Sequence, residues 1–124
     1  MLTFPLLGQV KEVKNLNMTY EFKLGYVLEW DTGKILPSLS EDSYFVTVHV
    51  DNNGDGHIDF LDPSLFRGRM LVESSKFEEG GLMIFEGEKG MSMIFNVSSN
   101  KEVAFGLLIA DKLQKKSFVF GVEE

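Results

Sequence analysis

The sequence predicts an all-β domain: an antiparallel β-sandwich, jelly roll or barrel of about seven to nine strands. Three observations carry this. Thr19 to Trp30 alternates apolar and polar residues with a period of two. Short apolar runs recur with Gly, Asn, Asp and Pro turn signals between them. Eleven Phe, three Tyr and one Trp suit pleated, half-buried strands. At 124 residues, with no linker and no repeat, the chain reads as one domain spanning 1–124.

Taken in order, Leu2 to Leu7 is apolar but broken by Pro5, which suits an edge strand or a docked terminal segment. Gly8 to Lys14 alternates weakly, and Asn15 to Asn17 reads as a turn. In Thr19–Trp30 the residues Tyr20, Phe22, Leu24, Tyr26, Leu28 and Trp30 share one face, which is read as core. Twelve residues is long for a strand, so a bend or bulge is expected near Gly25. Asp31-Thr32-Gly33 is a turn and Lys34 to Asp42 a loop. Ser43 to Val50 alternates again, with Tyr44, Val46, Val48 and Val50 on one face.

Asp62-Pro63-Ser64 is a helix-start signal, and Gly68 limits that helix to a turn or two. Arg69 to Glu73 returns to strand. Ser74 to Gly81 is polar and ends in Gly-Gly, so it reads as loop. Leu82–Glu86 and Met91–Ser98 form a hairpin across Gly87 to Gly90. The triplets Met83–Phe85 and Met93–Phe95 are read as two strands sharing a core layer. Glu102–Ala110 and Ser117–Val122 complete the set.

Composition excludes several function classes. The net charge is −7, and the stretch Asp51–Asp62 holds four of the nineteen acids. Local acidity suits a cation. No Lys/Arg cluster with interleaved aromatics is present, which argues against nucleic acid. Without cysteine there is no disulfide, thiolate metal site or cysteine nucleophile. No apolar run is long enough for a membrane-spanning helix. The opening MLTFPLLG is too short for a signal peptide and lacks a basic leader.

The most informative stretch is Asp51–Asp62, DNNGDGHIDFLD. Acidic or amide side chains fall at positions 1, 3, 5, 9 and 12 of a twelve-residue loop: Asp51, Asn53, Asp55, Asp59 and Asp62. Calcium is a hard cation that takes six to eight oxygens and tolerates irregular geometry. Asp51, Asn53 and Asp55 each offer a side-chain oxygen, His57 its backbone carbonyl, and Asp59 binds directly or through water. Asp62 closes the loop or caps the following helix. Gly56 is expected to make the sharp turn with positive φ, and Ile58 to anchor the loop in the core. The bland alternative is an acidic β-turn with no ion.

This stretch resembles the calcium loop of EF-hand proteins, and more closely that of dockerin modules, which also end in Asp. It is similar too to the D-x-N-x-D-G loops that follow a strand in β-sandwich repeats of bacterial surface proteins. The resemblance covers these twelve residues alone. It implies a bound Ca2+ held by Asp51, Asn53, Asp55, His57, Asp59 and Asp62. A strand leads into this loop and Pro63 follows it, so the strand-entry relatives fit best.

The remaining candidates read blandly. His49 and His57 are eight residues apart with no third strong partner, hence strand or surface histidines. Glu78/Glu79 and Glu86/Glu88 read as solvated charges, not catalytic pairs. The expectation is a non-enzymatic, calcium-binding interaction or cell-envelope protein, exported to where calcium is abundant. The alternatives are a calcium-dependent carbohydrate- or ligand-binding module, which would expose an aromatic platform near the loop, and a small hydrolase, which would need two convergent carboxylates. A protein or glycan partner stays open.

Overall fold

The structure is a computed structural model that describes residues 10–60, 68–78 and 80–122. Among these residues are ten strands: β1 (Val10–Lys11), β2 (Leu16–Glu29), β3 (Ile35–Pro37), β4 (Ser43–Val50), β5 (Gly56–Phe60), β6 (Gly68–Glu78), β7 (Leu82–Gly87), β8 (Met91–Val97), β9 (Ala104–Asp111) and β10 (Lys116–Gly121). Eight close into an antiparallel barrel in the order β6-β5-β4-β2-β10-β9-β8-β7, with β7 pairing back onto β6. β1 adds to β6 and β3 to β2. The all-β class is therefore observed, with barrel closure. The helical turn among the described residues is a 3₁₀ segment, Glu88–Gly90. Leu2–Leu7, the segment from Pro63 expected to be helical, and Asp62 lie outside the described residues.

Closure depends on β2 and β6, each of which changes neighbours part-way. β2 pairs with β4 over Leu16–Lys23 and with β10 over Lys23–Glu29. β6 pairs with β5 over Gly68–Val72 and with β7 over Val72–Glu78. Each carries a bulge at the change. On β2, Leu24 faces Phe120 and Tyr26 faces Val119, which leaves Gly25 as the extra residue. On β6, Val72 faces Gly87 and Ser74 faces Glu86, which leaves Glu73. A bulge residue sharpens the twist and inverts which side chains point inward.

The bulge expected near Gly25 is thus observed, and it corrects the reading of the aromatic face. Tyr20 and Phe22 are buried in the core, but beyond Gly25 the inward position passes to Val27. Tyr26 and Trp30 are 38% and 40% exposed. Similarly, Ser74–Glu78 continues β6 where a loop was expected. After the bulge at Glu73, the polar residues Ser74, Lys76 and Glu78 pair with the outward-facing Glu86, Ile84 and Leu82, and Phe77 turns to the core. The expected loop Lys34–Asp42 contains β3, whose Pro37 sits at an edge, where no ladder donor is needed.

An eight-stranded barrel is just wide enough for its interior to be filled by side chains. Here Phe22, Phe85, Phe95, Ile58, Met83, Met93 and Ile109 are fully buried. The two Met-Ile-Phe triplets do share a layer: Met83 pairs with Phe95 and Phe85 with Met93. Aromatic rings link the layers, with Phe95 lying 5.6 Å from Tyr20 and 5.7 Å from Phe85, centroid to centroid. The Tyr20 hydroxyl donates to the carbonyl of Lys101 at 2.5 Å, and burial pushes its pKa up to about 12.

Candidate metal centre

The β4–β5 hairpin carries the acidic stretch. Val46, Val48 and Val50 on β4 and Ile58 and Phe60 on β5 are buried, so both strands are fixed by their inward faces. The register runs Val50 to Gly56, His49 to His57, Val48 to Ile58 and Thr47 to Asp59. The connection between them is short. Asp51 N–H donates to Asp55 O at 2.8 Å, and Gly54 N–H to Asp51 O at 3.2 Å. Gly54 has φ +88°. This is a three-residue hairpin loop, a type I turn followed by a left-handed glycine.

Asp51 organises the turn. Its Oδ1 accepts the N–H of Asn53 at 2.9 Å and of Asp55 at 3.0 Å. One carboxylate oxygen is thus committed to backbone amides. Asn53 and Asp55 stand beside it, both exposed. The N-terminal segment closes over the tip. Asn15 N–H donates to Asp51 O at 3.0 Å, Val13 is 1% exposed, and the Glu12 carboxylate lies directly against Gly54.

The structure divides the six expected ligands. Asp51, Asn53 and Asp55 share the turn at the tip. His57 and Asp59 belong to β5, within the ladder between β4 and β6. Asp59 forms a two-pronged ion pair with Arg69, 2.9 Å to Nε and 3.3 Å to Nη2. The cause is the alternation at Gly56–Phe60: Ile58 and Phe60 are buried when this segment is a strand, and that burial favours pairing over wrapping.

The expected role of Gly56 is also corrected. The left-handed glycine is Gly54; Gly56 has an ordinary strand backbone and instead faces Val50, where a Cβ would collide with the carbonyl oxygen of His49. The expected burial of Ile58 is observed, at 0% exposure.

Two features were not read from the sequence. The first is Glu12, far from the tip in the chain, for which no local signal exists. The second is the pairing of His49 and His57, half-buried on the outer face with ring centroids 4.8 Å apart. Asp59 supplies the third partner that the sequence reading lacked: its Oδ2 is 3.7 Å from His57 Nε2. One donor atom from each of His49, His57 and Asp59 lies within 4.8 Å of the others. A signal was present, since both histidines stand four residues from Asn53, the middle of the turn.

The opposite wall is apolar. Ile84, Ile94, Leu108, Val119, Tyr26 and Pro37 follow one another in register across β7, β8, β9, β10, β2 and β3. All six are outside the barrel core. The parallel row Ala110, Ser117, Leu28 and Ile35 widens this belt. Trp30 borders it, its indole N–H donating to the Ser117 hydroxyl at 2.7 Å.

Two surface recesses accompany these features. One of about 310 Å³ is lined by Glu21, Phe22, Lys23 and Val122; another of about 240 Å³ by Phe77, Gly80, Gly81, Val97 and Ser99. The first offers one carboxylate and the second none. Among the described residues no helix is long and apolar enough to cross a membrane. Compared with known proteins, the chain matches no family model, no curated protein and no solved structure.

Proposed function

We propose that this chain is a non-enzymatic β-barrel domain that binds one Ca2+ at the tip of the β4–β5 hairpin, with the ion in a structural role. The observation that carries the reading is the shared turn of Asp51, Asn53 and Asp55, in which Asp51 Oδ1 accepts the backbone amides of the other two, with the Glu12 carboxylate against Gly54. Oxygen donors of this kind suit a hard cation with loose geometry.

The proposed ligands are Asp51 Oδ2, Asn53 Oδ1, the Asp55 carboxylate and Glu12. The ion then clamps the N-terminal segment to the hairpin, and an exported or cell-envelope location supplies the calcium. At one hundred times its dissociation constant, such an ion stabilises the fold by about 2.7 kcal/mol. Amide chemical shifts of 15N-labelled, chelator-treated protein test this. Calcium should move Asn52 to Asp55 together with Glu12 and leave β8 and β9 unmoved; an unchanged spectrum would remove the proposal.

A second reading is favoured by the apolar belt: an interaction domain that docks on a second copy of itself. Six strands spaced about 4.8 Å apart give an apolar arc of about 24 Å around the outside of the barrel. A carbohydrate platform organised by calcium fits less well. Tyr26 and Trp30 lie at the opposite end of β2 from Leu16, whose partner Val50 adjoins the tip. Sedimentation velocity checks the belt: a parent dimer that Leu108→Glu dissociates supports it, and a monomeric parent at high concentration rejects it.

A further inference from the structure

We propose a second metal site, distinct in chemistry from the hairpin tip: His49, His57 and Asp59 bind a borderline divalent transition ion such as Zn2+, Ni2+ or Cu2+ on the outer face of the β4–β5 hairpin. The geometry follows from strand register. His49 and His57 are direct cross-strand partners, so both rings project to the same face. Asp59 is two residues beyond His57 on β5, and a strand returns to the same face every second residue. Three residues on two adjacent strands therefore form one cluster, with donor atoms within 4.8 Å of one another. In a tetrahedral zinc site with Zn–N and Zn–O bonds of about 2.0–2.2 Å, donors stand about 3.4 Å apart. Small changes of side-chain rotamer span the difference, while the ladder holds the backbone in place.

The donor set selects the ion. Two imidazole nitrogens and one carboxylate oxygen suit Zn2+, Ni2+ and Cu2+, and they suit Ca2+ poorly. The strands themselves are rigid: Val48 and Ile58, which point inward between these residues, are both fully buried. The site faces solvent, so a water completes the coordination shell. The half-buried position of both histidines limits the number of competing rotamers.

Arg69 is the competitor. It holds Asp59 with both Nε and Nη2, and its own side chain is 55% exposed. Asp59 is 23% exposed, so the pair keeps solvent contact on both sides and contributes about 1 kcal/mol, at the upper end for such pairs. A metal ion therefore displaces Arg69 at small cost, and removing Arg69 should tighten metal binding by about two- to fivefold. A cluster of merely structural histidines carries no such expectation.

The test is calorimetric titration of the chelator-treated full chain with Zn2+, with Co2+ absorption reporting coordination. One ion per chain is expected. His49→Ala and His57→Ala should each weaken binding at least about tenfold, and Arg69→Gln should strengthen it. Asp51→Asn should leave Zn2+ binding unchanged while it weakens Ca2+, which separates this site from the calcium tip. Zn2+ affinity that is equal in the parent and in His49→Ala overturns the proposal, as does the absence of stoichiometric binding. Circular dichroism checks the fold of each variant. Where a histidine variant unfolds, Arg69→Gln decides: tighter binding supports the site and unchanged or weaker binding rejects it.

Discussion

Asp51 has two roles that a pair of substitutions separates. Its Oδ1 accepts two backbone amides, from Asn53 and Asp55, and its Oδ2 is the proposed Ca2+ ligand. Asp51→Ala removes both amide acceptors. At about 0.5–1.5 kcal/mol for each bond, and with water compensating in part at this exposed turn, the loss is about 1–2 kcal/mol. For a chain of this size that lowers Tm by about 4–8 °C. Asp51→Asn keeps an oxygen in place for the turn but removes the charge. In chelator, Asn should therefore lie close to the parent and Ala well below it. In calcium at a hundred times the parent's Kd, the parent should gain about 2.7 kcal/mol. A hundredfold weaker Asn variant would gain only about 0.4 kcal/mol. Thermal unfolding followed by circular dichroism, with calcium and with chelator, reads all of these. Equal Tm values for Ala and Asn in chelator would refute the turn bonding. A parent Tm indifferent to calcium would refute the ion.

Gly54→Ala should destabilise by at least about 1–2 kcal/mol, because φ +88° is costly for a residue with a Cβ and that Cβ would also displace Glu12; urea unfolding measures it. Asp111 is the buried acid of the β9–β10 turn, its Oδ1 accepting Leu113 N–H at 3.0 Å and Gln114 N–H at 3.2 Å and its Oδ2 accepting Gln114 Nε2 at 2.8 Å. Asp111→Ala should cost about 2–3 kcal/mol and Asp111→Asn clearly less, by the same assay. Tyr20 has its pKa raised by burial from 10.0 to about 12, so the unfolded chain gives up that proton first. Its contribution to stability is present in full below pH 10 and is lost as pH rises towards 12; ultraviolet titration should show one tyrosine ionising late, together with a falling denaturation midpoint.

Alternation and turn chemistry made the strands legible. Ser43–Val50 emerges with the bounds its pattern suggests, and the Gly87–Gly90 turn joins the strands it was expected to join. Two kinds of information were hidden. One is phase. The extra residues Gly25 and Glu73 invert the inward face, so a single apolar series from Tyr20 to Trp30 becomes half core and half outer wall. The length of the run hinted at a bulge, but the fate of Tyr26 and Trp30 depends on its position.

The other is competition between two local readings of the same residues. DNNGDGHIDFLD has the spacing of an ion-wrapping loop, yet Gly56, Ile58 and Phe60 also fit a strand, and burial in the barrel favours the strand. That outcome concentrates the acidic residues Asp51 and Asp55 at the tip and sends Asp59 to Arg69 and the histidines. Glu12 reaches the tip only because the N-terminal segment packs there, a tertiary fact without a local signature.

Calorimetric titration of chelator-treated protein with Ca2+, and separately with Mg2+, tests the central claim most directly. The account predicts one saturable Ca2+ site per chain, weakened in Asp51→Asn and Asp55→Ala, and weaker binding of Mg2+, which demands near-octahedral geometry and gives up its waters reluctantly. No saturable heat with Ca2+, or binding that both variants leave untouched, would contradict it.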